Sequence, residues 1–226
     1  SENYPRKIWK PTYLNIFDTI EARVKSTAEK GNLPLWQGYQ QLENYKNSNE
    51  TSRNVYQVRS SATICKFYTD LVRNRRPETV LEIGTAFGIS GMYWLAGLDQ
   101  NSTGKLLTFE PNEIWAEIAE ENLKQISSRF YLFNQTFEEG ITQITSFKNK
   151  IDIAFIDAIH TSEFVLKQFE LIQELAKEGA LIIFDDINFS EDMKICWNAI
   201  AKSENSTASL EISNRVGIIE FKKNEV

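Results

Sequence analysis

Four residues with chemistry to offer stand where apolar runs stop. Phe155-Ile156-Asp157-Ala158-Ile159-His160 ends one run, Phe184-Asp185-Asp186 ends another, and His160 is the only histidine of the chain. Aspartates on neighbouring strand ends repel one another in a cleft. Something positive must compensate: a divalent cation, a basic side chain or protons. No Lys or Arg adjoins them in the sequence. Two or three carboxylates with waters suit a hard ion such as Mg²⁺, which points to Asp157, Asp185 and Asp186. The plainer use of such acids is to cap the helix or turn that follows. His160, whose ordinary pKa lies near neutrality, suits the removal of a proton from a hydroxyl, and ligation of a metal through imidazole is its other use.

A second set surrounds a glycine turn. The run Val80 to Ile83 breaks at Gly84, Gly88 follows, and a helix-like segment begins at once. This reads as a buried parallel strand, a tight turn and a helix N-terminus. Gly84 supplies positive φ and lets a ligand approach the backbone, and the helix start offers unpaired N–H groups to a negative group. Glu110 ends the next apolar run, Leu106 to Phe109, 22 positions after Gly88. A carboxylate at that strand tip accepts hydrogen bonds from the two hydroxyls of a ribose. Strand, turn, helix, strand and acid together bind an adenosine-containing molecule. The dinucleotide fingerprint G-x-G-x-x-G is not met, because Ala86 stands where its second glycine belongs. This makes a dehydrogenase the weaker reading.

These residues need elements to hold them. From Pro77 onward apolar runs and amphipathic segments alternate, which argues a parallel sheet with helices on both faces. Expected strands are 79–84, 105–110, 130–133, 151–156 and 180–184, with helices at 88–97, 113–125, 138–146, 162–177 and 191–201. Glu178-Gly179 is expected to turn into the fifth strand. The runs 208–212 and 216–221 flank Ser213-Asn214-Arg215 as a terminal hairpin. In such a sheet the ligand lies outside the carboxyl ends of the strands, at the switch point. The first 75 residues are expected to hold no strand. A helical stripe runs through Leu14, Phe17, Ile20, Val24 and Ala28, and 31–34 ends it. A short helix over 35–45, a loop over 46–53 and a helix over 54–73 follow, with Thr51 or Ser52 as its cap. Trp9, Tyr13, Trp36, Tyr39, Tyr45 and Tyr56 enrich this extension in aromatics, which either pack on the main domain or line a substrate pocket or a homodimer contact.

Composition narrows the classes. The chain has 226 residues, 42% hydrophobic and 25% charged, with net charge −6, ordinary for a globular protein. An acidic chain is a poor binder of nucleic acid, whose phosphates need Lys and Arg. No run reaches the ~20 apolar residues of a membrane helix, and Ser1 to Lys7 lack the apolar core of a signal peptide. Cys65 and Cys196 lie far apart in helix-like contexts. Reduced, packed thiols and a cytoplasmic location are the expectation.

The pattern E-I-G-x-x-x-G, Glu82 to Gly88, resembles motif I of class I methyltransferases that use S-adenosylmethionine. With the acids after the later strands, residues 55 to 190 resemble the metal-dependent O-methyltransferases, the group of catechol and caffeoyl-CoA O-methyltransferase. They look closer still to bacterial natural-product and sugar O-methyltransferases whose motif reads I-D-G-D-H. The resemblance implies a doubly wound, Rossmann-like α/β methyltransferase sheet with a C-terminal antiparallel hairpin. It places Gly84, Thr85 and Gly88 along the methionine part of the cofactor, Ser90 on its carboxylate and Glu110 on its ribose, with Glu82 and Asp157 also among the residues along the cofactor. It puts Thr136 and Phe137 at the adenine, and Asp157, Asp185 and Asp186 on Mg²⁺. Asp157 and His160 would be catalytic, the latter where catechol-type members carry Lys; Ile159 replaces the second acid of I-D-G-D-H. The division implied is a helical extension, 1–75, serving as substrate lid or dimer contact, and a catalytic domain, 76–226. The expected substrate is a small-molecule hydroxyl with a vicinal oxygen. The rival expectations are a metal-independent methyltransferase with His160 as base, and a non-catalytic binding protein of the same fold.

Overall fold

The computed structural model describes residues 9–42 and 49–223. Its first helix, α1 (Ile16–Ala28), follows the predicted stripe and buries Phe17, Ile20 and Val24. The expectation of no strand in this region needs correction. Two short strands, β1 (Leu33–Pro34) and β2 (Ser52–Arg53), pair antiparallel because the chain is extended on both sides of the 3-10 turn Gln37–Gln41. That turn stands in the segment predicted as a helix over 35–45, of which residues 43–45, Tyr45 among them, lie outside the described residues. The helix predicted over 54–73 is two helices. Asn54, not Thr51 or Ser52, caps α2 (Val55–Val58) through a capping box with Gln57. The chain then extends through Arg59 and Ser60 before Ser61 caps α3 (Ala62–Arg75). Capping side chains at both Asn54 and Ser61 favour two starts over one continuous helix.

The remainder alternates: β3 (Thr79–Ile83), α4 (Ile89–Gln100), β4 (Lys105–Phe109), α5 (Glu113–Lys124), β5 (Phe130–Phe133), α6 (Phe137–Gly140) running into a 3-10 segment (Ile141–Phe147), β6 (Ile151–Ile156), α7 (Ser162–Leu175), β7 (Ala176–Phe184), α8 (Glu191–Ala201), β8 (Ser206–Ile212) and β9 (Val216–Phe221). The sheet order is β5-β4-β3-β6-β7-β9-β8. The first five are parallel neighbours, and β9 enters antiparallel beside β7. The mixed, doubly wound sheet with its terminal hairpin is the expected fold. Glu178-Gly179 does not separate α7 from the fifth strand: α7 stops at Leu175 and β7 passes straight through, with an irregular register against β6. Lys177 is anchored there by Asp152 at 2.7 Å.

Alternation along each strand sends Val80, Leu106, Ile153 and Phe155 into the core beneath α1, α3, α4 and α5. Leu81, Leu107, Ala154 and Ile156 point to the core beneath α6, α7 and α8. The N-terminal helices are therefore built into one face of the sheet. Cys65 and Cys196 are both buried, free thiols. No helix among the described residues is long and apolar enough to cross a membrane.

Candidate active site

Register brings the distant residues together. Phe133, Phe109, Ile83, Ile156 and Phe184 form one row across five parallel strands. The next residue of each strand therefore stands at the same carboxyl edge: Asn134, Glu110, Gly84, Asp157 and Asp185. The order reverses between β3 and β6, where Gly84 and Asp157 are neighbours. A Cβ on Gly84 would collide with the Asp157 carbonyl oxygen, and its φ of 96° is one that L side chains rarely adopt.

A cavity of about 650 Å³ opens at this edge. One end is the glycine turn. Glu110 Oε2 accepts from Ala86 N–H at 2.8 Å and Oε1 from Asn112 N–H at 2.9 Å, so the acid is locked beside the turn. Burial pushes its pKa up to about 8, against those two hydrogen bonds. Thr136 and Phe137 line the same end, Thr136 as the cap of α6. Two buried polar atoms on the cavity wall are unpartnered: Trp115 Nε1 and Gln168 Oε1, the latter on a side chain whose Nε2 donates to Glu138 at 2.9 Å. Neither was singled out in the sequence, because a Trp or Gln on an amphipathic helix reads as packing.

The turn residues divide. Gly84, Thr85 and Ser90 line the cavity, whereas Glu82 and Gly88 do not. Gly88 is held against the Ala119 backbone of α5. Glu82 is fully buried within β3, accepting from Ser90 Oγ at 2.6 Å and Thr108 Oγ1 at 2.7 Å. Thr108 in turn shares a short hydrogen bond with Thr85. Glu82 thus supports the turn from beneath, and its placement along a bound cofactor is corrected: it is covered by the residues it holds.

The opposite end carries the acids. His160 Nε2 lies 3.7 Å from Asp157 Oδ1 and 3.5 Å from Asp186 Oδ2, with its ring against Phe189. Burial lowers the His160 pKa, while Asp186 and Asp185 raise it less, which leaves a neutral imidazole able to accept a proton. Burial first, then Asp185 and Asp186, holds Asp157 well above the ordinary carboxylate range. The compensating charge that the sequence left open is Arg215. Its Nε and Nη2 donate to the two oxygens of Asp185 at 3.0 and 2.8 Å, and its Nε lies 3.0 Å from Asp186 Oδ1. Ser60 Oγ adds a bond to Asp185 Oδ2 at 3.3 Å. Among the described residues no group of His, Cys, Asp and Glu is arranged to hold a metal ion. The aspartates come together as expected, but around a guanidinium. The hairpin is legible in the sequence, and its second strand, antiparallel beside β7, puts Arg215 at the acid tips.

The extension closes the cavity with Trp36, Tyr39, Tyr56, Arg59 and Ser60. Asn112 Nδ2 donates to the Pro34 carbonyl at 2.8 Å, which fastens β1 beside Glu110.

Residues 81–187 match the family model of a methyltransferase domain. The matched span holds the glycine turn, Glu110, Asp157, His160 and both later aspartates; Arg215 and the extension lie outside it. A search of curated proteins found no match. Among solved structures, the cofactor-bound Rv0187 from MTB has a TM-score of 0.71 at 18% identity, covering 96% of this chain and 100% of that one. The O-methyltransferase from Bacillus cereus, solved with SAH, has a TM-score of 0.63 at 23% identity over 90% and 100%. TomG from Streptomyces achromogenes, an O-methyltransferase of tomaymycin synthesis solved with SAM, has 0.63 at 15% over 93% and 100%. At such identities the likeness is one of fold. It extends the methyltransferase fold over nearly the whole chain, the helical extension included.

Proposed function

We propose that the chain transfers the methyl group of S-adenosylmethionine to a hydroxyl oxygen of a small molecule, with His160 as base. One observation carries this reading: a single cavity runs from the glycine turn and Glu110 to His160 and Asp157. The cofactor end fits S-adenosylmethionine. Glu110 offers acceptor oxygens to a ribose, Phe137 and Thr136 wall an adenine, and Gln168 Oε1 is an unspent acceptor for an exocyclic amine. Trp115 Nε1 offers an unspent donor at the turn, where a carboxylate would sit, beside Ser90, whose hydroxyl is given to Glu82. When bound, that cofactor supplies a methyl group on a positive sulfur to an oxygen placed in line with it.

The chain's own residues then have three tasks. The cradle and the cavity walls fix acceptor and donor in line, a large part of the catalysis of such a displacement. His160, neutral and beside Asp157, accepts the hydroxyl proton at Nε2. Trp36, Tyr39, Phe164 and Phe189 exclude water and favour a flat, oxygen-bearing acceptor such as a natural product or catechol-like ring; a sugar diol is the second class. A vicinal oxygen on the acceptor would meet the positive charge of Arg215. Mg²⁺, expected from the resemblance, does not fit the residues as arranged, because Asp185 has both oxygens engaged by Arg215, and no step is routed through it.

Calorimetric titration with S-adenosylhomocysteine tests the cofactor. Micromolar binding is expected, weakened by roughly 10- to 100-fold in Glu110→Ala, where the hydrogen bonds to the ribose are lost. A mass-spectrometric screen of phenolic and vicinal-diol acceptors then tests the chemistry. His160→Gln should lower kcat by about 10²–10⁴ with S-adenosylhomocysteine affinity unchanged. Binding of NAD instead, or a His160→Gln enzyme of full activity, would refute the reading.

A further inference from the structure

We propose that Arg215 is a built-in cation that occupies the divalent-metal position of this site. Methyl transfer would accordingly run without a metal. The inference rests on the methyltransferase reading above for its chemistry, but on geometry for the site itself.

Asp185 is fully engaged. Asp185, 2% exposed, accepts Nε and Nη2 of Arg215 on its two oxygens and a third bond from Ser60. Asp186 Oδ1 faces Arg215 Nε at 3.0 Å. A hard divalent ion needs those same oxygens at ~2.0–2.1 Å with near-octahedral geometry. The charge of the guanidinium would repel a second cation drawn to these acids. The planar fork of a guanidinium, permanently charged, matches a carboxylate with two parallel bonds, and it leaves no titration by which the position would be vacated at working pH.

Arg215 is also held from its backbone. The turn before it places Ser213 and Asn214 at φ 52° and 56°. Asn188 Nδ2 donates to the Asn214 carbonyl at 2.7 Å and to its Oδ1 at 2.8 Å. Ile187 N–H donates to the Arg215 carbonyl at 2.9 Å. The segment carrying the aspartates and the hairpin carrying the arginine are therefore stapled at three points beyond the ion pair.

What remains free faces the acceptor. Nη1 makes no bond to a described residue, and the side chain, 43% exposed, lines the cavity beside His160. Nη1 can donate to the accepting oxygen or to the oxygen next to it. As the O–H bond breaks, its proton passes to His160 Nε2. The oxygen's electron pair forms the new O–CH₃ bond while the C–S pair stays on sulfur, leaving neutral S-adenosylhomocysteine. Arg215 would stabilise the oxyanion character in between, the task of a Lewis-acidic ion elsewhere. It suits acceptors with an acidic hydroxyl beside a second oxygen.

The test is a Mn²⁺ titration of the full chain, followed by the electron paramagnetic resonance signal of free Mn²⁺. It needs no knowledge of the acceptor. The wild type is expected to bind Mn²⁺ with a dissociation constant weaker than ~100 μM. Arg215→Met, checked for fold by circular dichroism, is expected to bind at least ~10-fold more tightly, as three acids lose their cation. Binding by the wild type below ~100 μM, or a folded Arg215→Met with no gain, overturns the proposal. If Arg215→Met does not fold, the wild-type titration alone decides. Failure of S-adenosylhomocysteine to bind the wild type would sink the methyltransferase reading instead, and would leave the Mn²⁺ comparison intact.

Discussion

Glu82 stands in the middle of β3 with none of its surface exposed, between hydroxyls of Ser90 and Thr108. Burial raises its pKa from 4.5 to about 7, and the two hydroxyl bonds hold it from rising further. The sign of the consequence follows by linkage. Between pH ~4.5 and ~7 the folded chain keeps a proton that the unfolded chain has lost, so unfolding becomes easier as pH rises through that window and levels off above it. Glu82→Gln removes the titration and keeps the hydrogen-bonding shape. Its stability relative to wild type should therefore increase from pH 5 to pH 7.5 by a few kcal/mol, ~3 at most from the size of the displacement. Urea unfolding at four pH values measures it. A wild-type-to-variant difference that stays flat would mean that Glu82 is ionised throughout, with its neighbours supplying more than two hydroxyl bonds.

At the scale of elements, the N-terminal helices are fastened through charged and polar pairs. Glu21 of α1 receives both Nη groups of Arg59 at 2.7 and 3.0 Å and the hydroxyl of Tyr93 of α4 at 2.8 Å. Arg59 pulls its glutamate below the ordinary carboxylate range. Asn122 of α5 bonds the Phe87 carbonyl at 2.8 Å, Thr27 at 3.1 Å and Arg23 at 2.9 Å. These ties fix the extended link after α2, and with it Ser60 against Asp185. Glu21→Ala leaves Arg59, whose side chain is 11% exposed, without its partner. Glu21 itself is 38% exposed, so solvent screens part of the loss. The expected cost is about 1–2 kcal/mol, a fall of about 3–6 °C in Tm for a chain of this size. Scanning calorimetry reads it. An unchanged Tm would show that α1 is held by its apolar face alone.

For the whole molecule, the buried side chains of α1 and α3 share one core with β3, β6 and α4. The extension should therefore not melt separately. Far-ultraviolet circular dichroism and tryptophan fluorescence should report one coincident transition. Because the cofactor end touches the extension through Asn112 and Pro34, S-adenosylhomocysteine should move the whole transition upward. At a hundredfold excess over Kd the gain is ~2.7 kcal/mol, about 5–11 °C. Two transitions, with only the second shifted by ligand, would show that the extension folds as an independent unit.

The sequence by itself determined the parts that are local. A short apolar run with a glycine at its end specifies strand and turn, because only Gly tolerates the positive φ of Gly84. The spacing from Gly88 to Glu110 specifies a strand tip. Five such tips, aligned by parallel register, specify a common edge, and Asp157, His160, Asp185 and Asp186 were legible on it. Tertiary structure decided what depends on neighbours. The apolar run places Glu82 in a buried strand but does not tell that Ser90 and Thr108 would cover it. Extended backbone at 33–34 and 52–53 became strand only because each found the other. Arg215 reached the aspartates because β9 runs antiparallel to β7 and so starts where β7 ends. Strand order is set by how apolar faces pack and loops close over long separations, and a local pattern of residues does not carry that information.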